Sequence, residues 1–297
     1  GFARRLESPL IGRREELERL VDVYKQARDS RMPRLCTILA APGVGKSRLT
    51  AELATHVDVE ATVLLGRCLS YGEGITYWPL VEIVQQAEER FPLADMLAER
   101  PRELLETLTG TGHGGGSTEE AFWAVRKLFE ALARERPLVI VLDDVHWAEA
   151  TFLDLVEHVL EFAEDTPLLL VALARPEFLD ERPLWASHRD DLTLIRLKPL
   201  SDEQTEALID ALAADAPLPD EIRRRIGVAS AGNPLFLEQM LAMLSGNGHA
   251  DGDVAVPPTI QALLAARIDE LIAKRPHAGA GGQDLLVRAW RRMAEDS

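Results

Sequence analysis

Aromatic residues, cysteines and long hydrophobic runs are all scarce in this chain of 297 residues. Phe, Trp and Tyr together make up 5% of the sequence, and the only two cysteines, Cys36 and Cys68, are far apart. We therefore expect two buried thiols in a reducing cytoplasm rather than a disulfide framework. The longest apolar runs have the length of a β-strand, so we expect no transmembrane helix. The N-terminal residues also lack the apolar segment of a secretory signal.

Positive charge is in short supply as well. The sequence has 33 Lys and Arg against 49 Asp and Glu, which gives a formal net charge of −16. Because no segment is strongly basic, we expect this piece not to bind nucleic acid on its own. We also expect no membrane partner. The seven histidines show no metal-ligand spacing. Apolar residues make up 46%, which is enough for one large α/β domain and a smaller second one.

A phosphate-binding loop follows a strand-like apolar run. Residues 40–47 have the sequence Ala-Ala-Pro-Gly-Val-Gly-Lys-Ser and continue into a helical pattern. Gly43 and Gly45 let the backbone curl so that its N–H groups face phosphate oxygens. Lys46 would reach the β and γ phosphates, and the Ser47 hydroxyl would hold Mg²⁺. The alternative is a tight strand-to-helix turn with an exposed lysine. We assign the nucleotide contacts of this loop to Pro42, Gly43, Val44, Gly45, Lys46, Ser47 and Arg48.

A second motif supplies two adjacent carboxylates. Residues 138–144 have the sequence Leu-Val-Ile-Val-Leu-Asp-Asp, which predicts a strand buried on both faces with Asp143 and Asp144 at its end. Ligands of open α/β sheets bind at that edge. Asp143 would hold the Mg²⁺ shell, and Asp144 would orient or deprotonate the attacking water. The alternative is a polar strand end that starts a turn. Together the two motifs predict a Mg²⁺-dependent site for ATP or ADP.

Strand-like and helical segments alternate as far as about residue 199. This order predicts an α/β fold in which helices cover both faces of a parallel sheet. In the last strand we expect Leu192, Leu194 and Leu197 to point inward. The strands are expected at residues 35–39, 61–65, 138–142, 168–173 and 192–197.

The pattern becomes purely helical after Pro199. We expect helices at about residues 201–214, 219–230, 234–245 and 258–273. Residues 109–117, which are rich in glycine, predict a flexible linker; a second phosphate loop is the alternative, but no strand precedes them. Four regions result: an N-terminal motif and helix over 1–30, a P-loop ATPase core over 31–199, a helical lid over 200–273, and a linker and tail of uncertain structure over 274–297.

Five segments in correct order resemble the ATPase module of STAND-type signal-transduction ATPases, a branch of the AAA+ P-loop group. They lie in residues 9–17, 67–80, 142–148, 174–177 and 231–238. The chain is similar in particular to the module of large LuxR-type transcriptional regulators and of fusions with adenylate/guanylate cyclase domains. The resemblance implies an AAA+-like core followed by a small helical lid.

The resemblance also implies site residues outside the two motifs. Ile11, Gly12 and Arg13 would shape the adenine pocket, unless the last two only cap a helix. Arg175 would act catalytically beside Lys46 and Asp144 by sensing the γ-phosphate or the hydrolysis water; the alternative is a surface arginine after a strand. Pro234 would lie against the nucleotide, and it is also a typical first residue of a helix.

These observations favour an ATP-binding, slowly hydrolysing switch within a larger signalling or transcription-regulating protein. We expect its neighbouring domains on both sides to be missing from this chain, and we leave nucleotide-dependent self-association open. One alternative is a P-loop small-molecule kinase, for which the sequence has no acceptor motif. Another is a scaffold that binds nucleotide without turnover, against which the presence of both acids argues.

Overall fold

The computed structural model describes residues 9–70, 76–111, 115–183, 185, 192–213 and 218–246. The helix expected at 258–273 and the tail over 274–297 lie outside the described residues. The chain divides into two compact units, one ending at Leu237 and one beginning at Glu238. In the second unit, the description covers only the C-terminal part of one helix, up to Gly246.

The strands of the described residues form one parallel sheet of five, in the order β2-β3-β4-β1-β5. Each neighbouring pair is parallel. The α/β fold that the sequence predicts is confirmed, and the strand bounds differ from the expected ones by two residues at most. The strands are β1 (Arg34–Leu39), β2 (Thr62–Arg67), β3 (Leu138–Asp143), β4 (Leu168–Ala174) and β5 (Leu192–Arg196).

Helices connect and follow the strands, and one short 3₁₀ helix lies after β3 at Val145–Trp147. Ser117 begins α6 (Thr118–Glu135) with a capping box: its side chain accepts from the Glu120 N–H, and the Glu120 carboxylate accepts from the Ser117 N–H. The helices are α1 (Arg14–Ser30), α2 (Lys46–Val57), α3 (Trp78–Glu88), α4 (Leu93–Met96), α5 (Glu99–Leu108), α6 (Thr118–Glu135), α7 (Ala150–Phe162), α8 (Phe178–Glu181), α9 (Asp202–Leu212), α10 (Asp220–Ser230) and α11 (Pro234–Gly246).

The sheet is buried on both faces because alternate residues of its strands enter two different apolar clusters. In β3, Leu138, Ile140 and Leu142 pack with residues of α3, α5, α6 and α7. Val139 and Val141 pack with residues of α1 and α2 on the other side. A strand covered on both faces needs apolar residues at every position, which is why β3 has no polar residue before its terminal carboxylate.

The expected inward face of β5 was partly wrong. Leu197 is buried as predicted, but it packs with Ile195 in the cluster that contains α1 and α2. Leu192 and Leu194 are only partly buried and pack against the opposite cluster. The physical reason is that side chains alternate with a period of two, so Leu197 cannot share a face with Leu192 and Leu194.

Side chains from α3 and from the turn that follows it cover the free edge of β2. Gln86 accepts from the Leu65 N–H at 3.1 Å and donates to the Leu65 carbonyl at 2.6 Å. Glu82 accepts from the Arg67 N–H at 2.6 Å, and Arg90 donates to the Val63 carbonyl at 3.0 Å. These bonds satisfy backbone groups that would otherwise be available to another strand.

Both cysteines are buried free thiols, as expected. Burial raises the pKa of Cys36 and of Cys68 to about 12, so both stay protonated at neutral pH. Within the part of the chain that the structure describes, no helix has the length and apolar character needed to cross a membrane.

Candidate nucleotide-binding site

The phosphate loop lies between the end of β1 and the first residue of α2, as the sequence predicts. Gly43 has a φ of +80° and Gly45 a φ of +111°, which are values that residues with a Cβ rarely adopt. A Cβ on Gly43 would also lie 2.6 Å from Oδ1 of Asn233, whereas a Cβ on Gly45 would meet nothing within 4 Å. A glycine is therefore required at position 43 both by its positive φ and by the nearby Asn233 side chain, and at position 45 by its positive φ alone.

The beginning of α11 binds directly to this loop. Nδ2 of Asn233 donates to the Pro42 carbonyl at 3.0 Å. The Leu235 N–H lies 3.3 Å from the carbonyl oxygen of Gly43, to which it donates. Two carbonyls of the phosphate loop are thus bonded to the segment predicted to begin a lid helix.

Asn233 has a second role at the same place. Its Oδ1 accepts from the N–H groups of Leu235 at 3.1 Å and Phe236 at 3.4 Å, so it caps the N-terminus of α11. The side chain is 1% exposed. Asn233 was not among the predicted site residues, which included its neighbour Pro234. An asparagine directly before a proline at the first position of a helix is typical of an N-cap, but no sequence signal identified the partner of its N–H₂ group.

Arg13 binds the next carbonyl of the loop. Its guanidinium donates to the Val44 carbonyl at 3.4 Å and to the Lys198 carbonyl, and it pairs with Glu16 at 3.3 Å. The side chain is buried, which is unusual for arginine unless its donors are satisfied. Arg13 therefore joins the loop to the segment that follows β5; its contact with adenine stays a prediction.

These bonds orient the loop. In a trans peptide the carbonyl and the next N–H point in opposite directions, and the described chain has no cis peptide. The carbonyls of residues 42–44 are held by Asn233, Leu235 and Arg13, so the N–H groups of Gly43 and Gly45 point away from these partners. Free N–H groups on a curled loop at a helix N-terminus are the usual binding site for phosphate.

Gly12 lies where the N-terminal segment meets α9. Its φ is +68°, and a Cβ there would come within 2.3 Å of the Gln204 side chain. Nε2 of Gln204 lies 3.5 Å from the Gly12 carbonyl. Ile11 beside it is half-buried. The structure thus brings the predicted adenine segment next to the helical region.

Lys46 and the two acids share one electrostatic environment. Nζ of Lys46 donates to the Ala40 carbonyl at 2.8 Å, and burial lowers its pKa while the negative charges of Asp144 and Asp143 oppose that shift. Burial, together with the nearby charge of Asp144, raises the pKa of Asp143. Arg67 opposes this second shift from 3.5 Å, at the end of β2. Lysine and carboxylates are therefore close enough to respond to the same charged ligand.

The acids lie at the carboxyl end of β3, as expected. Asp143 is buried, whereas Asp144 is 39% exposed and adopts a left-handed φ of +58° before the 3₁₀ helix. This conformation turns the chain sharply, so that adjacent carboxylates face different surroundings. The division of roles between metal and water stays a prediction that this difference supports.

The donor set fits a magnesium nucleotide. In the described chain, no group of three or more His, Cys, Asp or Glu could hold a metal ion by itself. Mg²⁺ commonly binds one or two protein oxygens and completes its shell with water and substrate phosphates. The Ser47 hydroxyl at the start of α2 and the Asp143 carboxylate would be those oxygens.

The remaining predicted residues lie around this centre. Arg175 is half-buried and follows β4 directly, and β4 lies between β1 and β3. Pro234 is the first residue of α11, next to the bonded Asn233. Arg48 lies in the first turn of α2, and its guanidinium pairs with Glu52 at 2.8 Å. The nucleotide contacts assigned to these three residues stay predictions.

An uncharacterised protein of Rhizobium meliloti (strain 1021) is 27% identical over 312 residues, an alignment that covers 93% of this chain but 30% of that protein. The chain thus spans less than a third of the length of this relative.

Two archaeal structures share the fold. The Cdc6p protein of Pyrobaculum aerophilum has a TM-score of 0.57 at 16% identity, over 82% of this chain and 65% of that one. The Orc1 protein of Aeropyrum pernix, solved in complex with DNA, has a TM-score of 0.53 at 17% identity, over 89% of this chain and 67% of that one. The family described as AAA ATPase domain matches residues 9–171, which is more than half of the sequence. The chain therefore belongs to the AAA ATPase domain family.

Proposed function

We propose that this chain is an ATP-binding and slowly hydrolysing switch module of a larger protein. The observation that carries the proposal is the pair of hydrogen bonds from Asn233 and Leu235 to the carbonyls of Pro42 and Gly43. Because the start of α11 and the phosphate loop share these bonds, a ligand that changes the loop also changes the position or stability of the helix.

Each charged group has a task in this proposal. Lys46 would leave the Ala40 carbonyl and bind the terminal phosphates of ATP. Ser47 and Asp143 would hold Mg²⁺, which neutralises phosphate charge when bound. Asp144 would orient the attacking water, and Arg175 would stabilise the charge that develops on the transferred phosphoryl group. Slow turnover suits a switch, since the ATP-bound state has to persist long enough to be detected by neighbouring domains.

The setting in a longer protein rests on two supports. The relative from Rhizobium meliloti is more than three times as long as the matched segment. The sequence also resembles the ATPase module of LuxR-type regulators and cyclase fusions, which implies signal transduction or transcription regulation as the output. The Orc1 neighbour was solved with DNA, but the net charge of −16 argues against direct DNA binding by this chain.

The experiment combines calorimetry with amide exchange. Wild-type protein should bind ADP and ATP in the presence of Mg²⁺, hydrolyse ATP slowly, and show slower amide exchange at residues 232–237 when nucleotide is bound. Asn233→Ser keeps a good capping oxygen but is too short to reach Pro42, so it isolates the loop contact. We expect about two- to twelve-fold weaker nucleotide binding, the range of one hydrogen bond, and a smaller exchange response at residues 232–237, because the backbone bond from Leu235 to Gly43 remains.

A matched control removes a cap elsewhere. Ser117→Ala deletes the capping oxygen of α6, which lies outside the phosphate loop. It should lower stability by about 1 kcal/mol and leave nucleotide affinity unchanged. If wild-type protein binds nucleotide but residues 232–237 exchange equally fast with and without it, the switch proposal fails and a plain nucleotide-binding domain remains. Phosphate transfer to a small metabolite in place of water would favour the kinase alternative.

A further inference from the structure

The guanidinium of Arg175 lies over the indole ring of Trp147. Its Cζ is 5.5 Å from the ring centroid. A tryptophan face attracts cations more strongly than any other side chain ring, and this distance is within the range in which the attraction acts. A long arginine side chain that follows a strand would otherwise sample many rotamers. The ring therefore restricts the position of a group that has a predicted role at the phosphates.

Trp147 is the last residue of the acidic turn, which consists of Asp144 and the 3₁₀ helix Val145–Trp147. The backbone N–H of Trp147 donates to the Asp144 carbonyl at 2.9 Å, which closes the 3₁₀ turn after β3. The ring of His146 packs beside it with a centroid distance of 4.9 Å. One short turn thus carries both the carboxylate predicted to orient water and the ring that contacts Arg175.

The strand order places these groups at one edge. β3 and β4 are neighbours in register, with Leu142 opposite Ala172, so their carboxyl ends lie side by side. Burial is the main cause of the lowered pKa of Lys46, the lysine of the phosphate loop, and the positive charge of Arg175 lowers it further. The arginine held on the ring is therefore electrostatically coupled to the phosphate site rather than directed away from it.

We propose that Trp147 is a positioning residue for ATP hydrolysis, which holds the Arg175 guanidinium in the orientation needed at the γ-phosphate. The inference rests on the proposed function, because it assumes that Arg175 acts on phosphate. It assigns to the exposed indole a task beyond packing of the strand end. Trp147 would act in the chemical step and contribute little to nucleotide binding.

The test is a double-mutant cycle on the full chain, with single-turnover hydrolysis and ATP affinity as measurements. Trp147→Leu should lower the hydrolysis rate about five-fold, the scale of one partly exposed cation–π contact, while ATP affinity stays unchanged. Trp147→Phe keeps an aromatic face and should restore most of the rate. In an Arg175→Gln background, Trp147→Leu should have no further effect, since the group it positions is gone.

Trp78→Leu is the matched control. Trp78 is 41% exposed and Trp147 43%, so the two substitutions remove similar surface. The control should leave the rate unchanged. A Trp147→Leu effect that persists undiminished in the Arg175→Gln background would overturn the proposal, as would an unchanged rate. If wild-type protein does not hydrolyse ATP, or if Arg175→Gln hydrolyses it at the wild-type rate, the role proposed for Arg175 is wrong. This outcome differs from a failure of the Trp147 proposal alone, in which Arg175→Gln is slow but Trp147→Leu is not.

Discussion

Acid should destabilise the fold through His146, a buried side chain next to the acidic turn. Its ring is 8% exposed, and among the described residues neither ring nitrogen has a hydrogen-bond partner. Burial, with the positive charges of Arg175 and Lys46, lowers its pKa from 6.5 to about 4. The nearest carboxylate oxygen, on Asp144, is 3.9 Å from Nδ1, which is too far for a hydrogen bond.

The sign and size of the effect follow from this shift. Between pH 6.5 and about 4 the unfolded chain binds the His146 proton and the folded chain does not. The contribution of His146 to the free energy of unfolding is therefore fully present above pH 6.5 and is lost as the pH falls toward 4. A difference of about 2.5 pKa units corresponds to about 3 kcal/mol at the low end.

The assay is urea unfolding at several pH values between 4 and 7 for wild type and His146→Phe. Phenylalanine keeps a ring beside Trp147 and cannot be protonated. Acid effects of other groups are common to both proteins and cancel in the difference. We expect the variant to gain about 3 kcal/mol relative to wild type on going from pH 7 to pH 4. The exposed His56 is the control for the loss of a histidine as such, and His56→Gln is measured at the same pH values. A difference between wild type and His146→Phe that does not change with pH would refute the reasoning.

Three further predictions concern the charged groups of the site. Lys46→Ala should weaken ATP binding by about 1.5–3 kcal/mol, the scale of a hydrogen bond to a charged group. Calorimetry measures the affinity, with Lys46→Arg as a charge-retaining control. An unchanged affinity for Lys46→Ala would rule out the proposed phosphate contact. If Asp144 orients the water, Asp144→Asn should keep nucleotide affinity and lower the single-turnover rate by at least ten-fold. Hydrolysis by Asp144→Asn at the wild-type rate would show that this role is wrong. Asp143→Asn should weaken the dependence of nucleotide binding on Mg²⁺.

The elements and the two motifs were predictable from the sequence because they depend on local patterns. An apolar run before a glycine-bearing turn predicts β1 and the phosphate loop, and five apolar residues before Asp143 predict a strand buried on both faces. Both predictions are confirmed. The position of β4 between β1 and β3 was not predictable in this way, since strand pairing is a long-range property that periodicity does not contain.

The supports of the phosphate loop were missed for a different reason. Asn233 and Arg13 are polar residues with common explanations, a helix cap and a surface cation, and the sequence does not show which distant carbonyl each one meets. Their partners in the loop lie 191 and 31 residues away along the chain. The error in β5 arose from grouping leucines by type, when the period of two should have placed Ile195 with Leu197.

The two bonds between α11 and the phosphate loop also limit what the proposed switch can do alone. Two hydrogen bonds at about 0.5–1.5 kcal/mol each supply about 1–3 kcal/mol of coupling, or roughly a 5- to 150-fold change in nucleotide affinity between the two positions of the helix. A change of populations from 1:99 to 99:1 needs about 5.5 kcal/mol. The Asn233 and Leu235 contacts can therefore bias the equilibrium but cannot complete the transition.

The remaining free energy has to come from groups that contact the nucleotide only in one state, for which Pro234 and Arg175 are the candidates, or from contacts with other parts of the longer protein. Under the proposed function, nucleotide should thus shift the exchange of residues 232–237 in this chain by a limited factor, and a transition near completion would require partners beyond it.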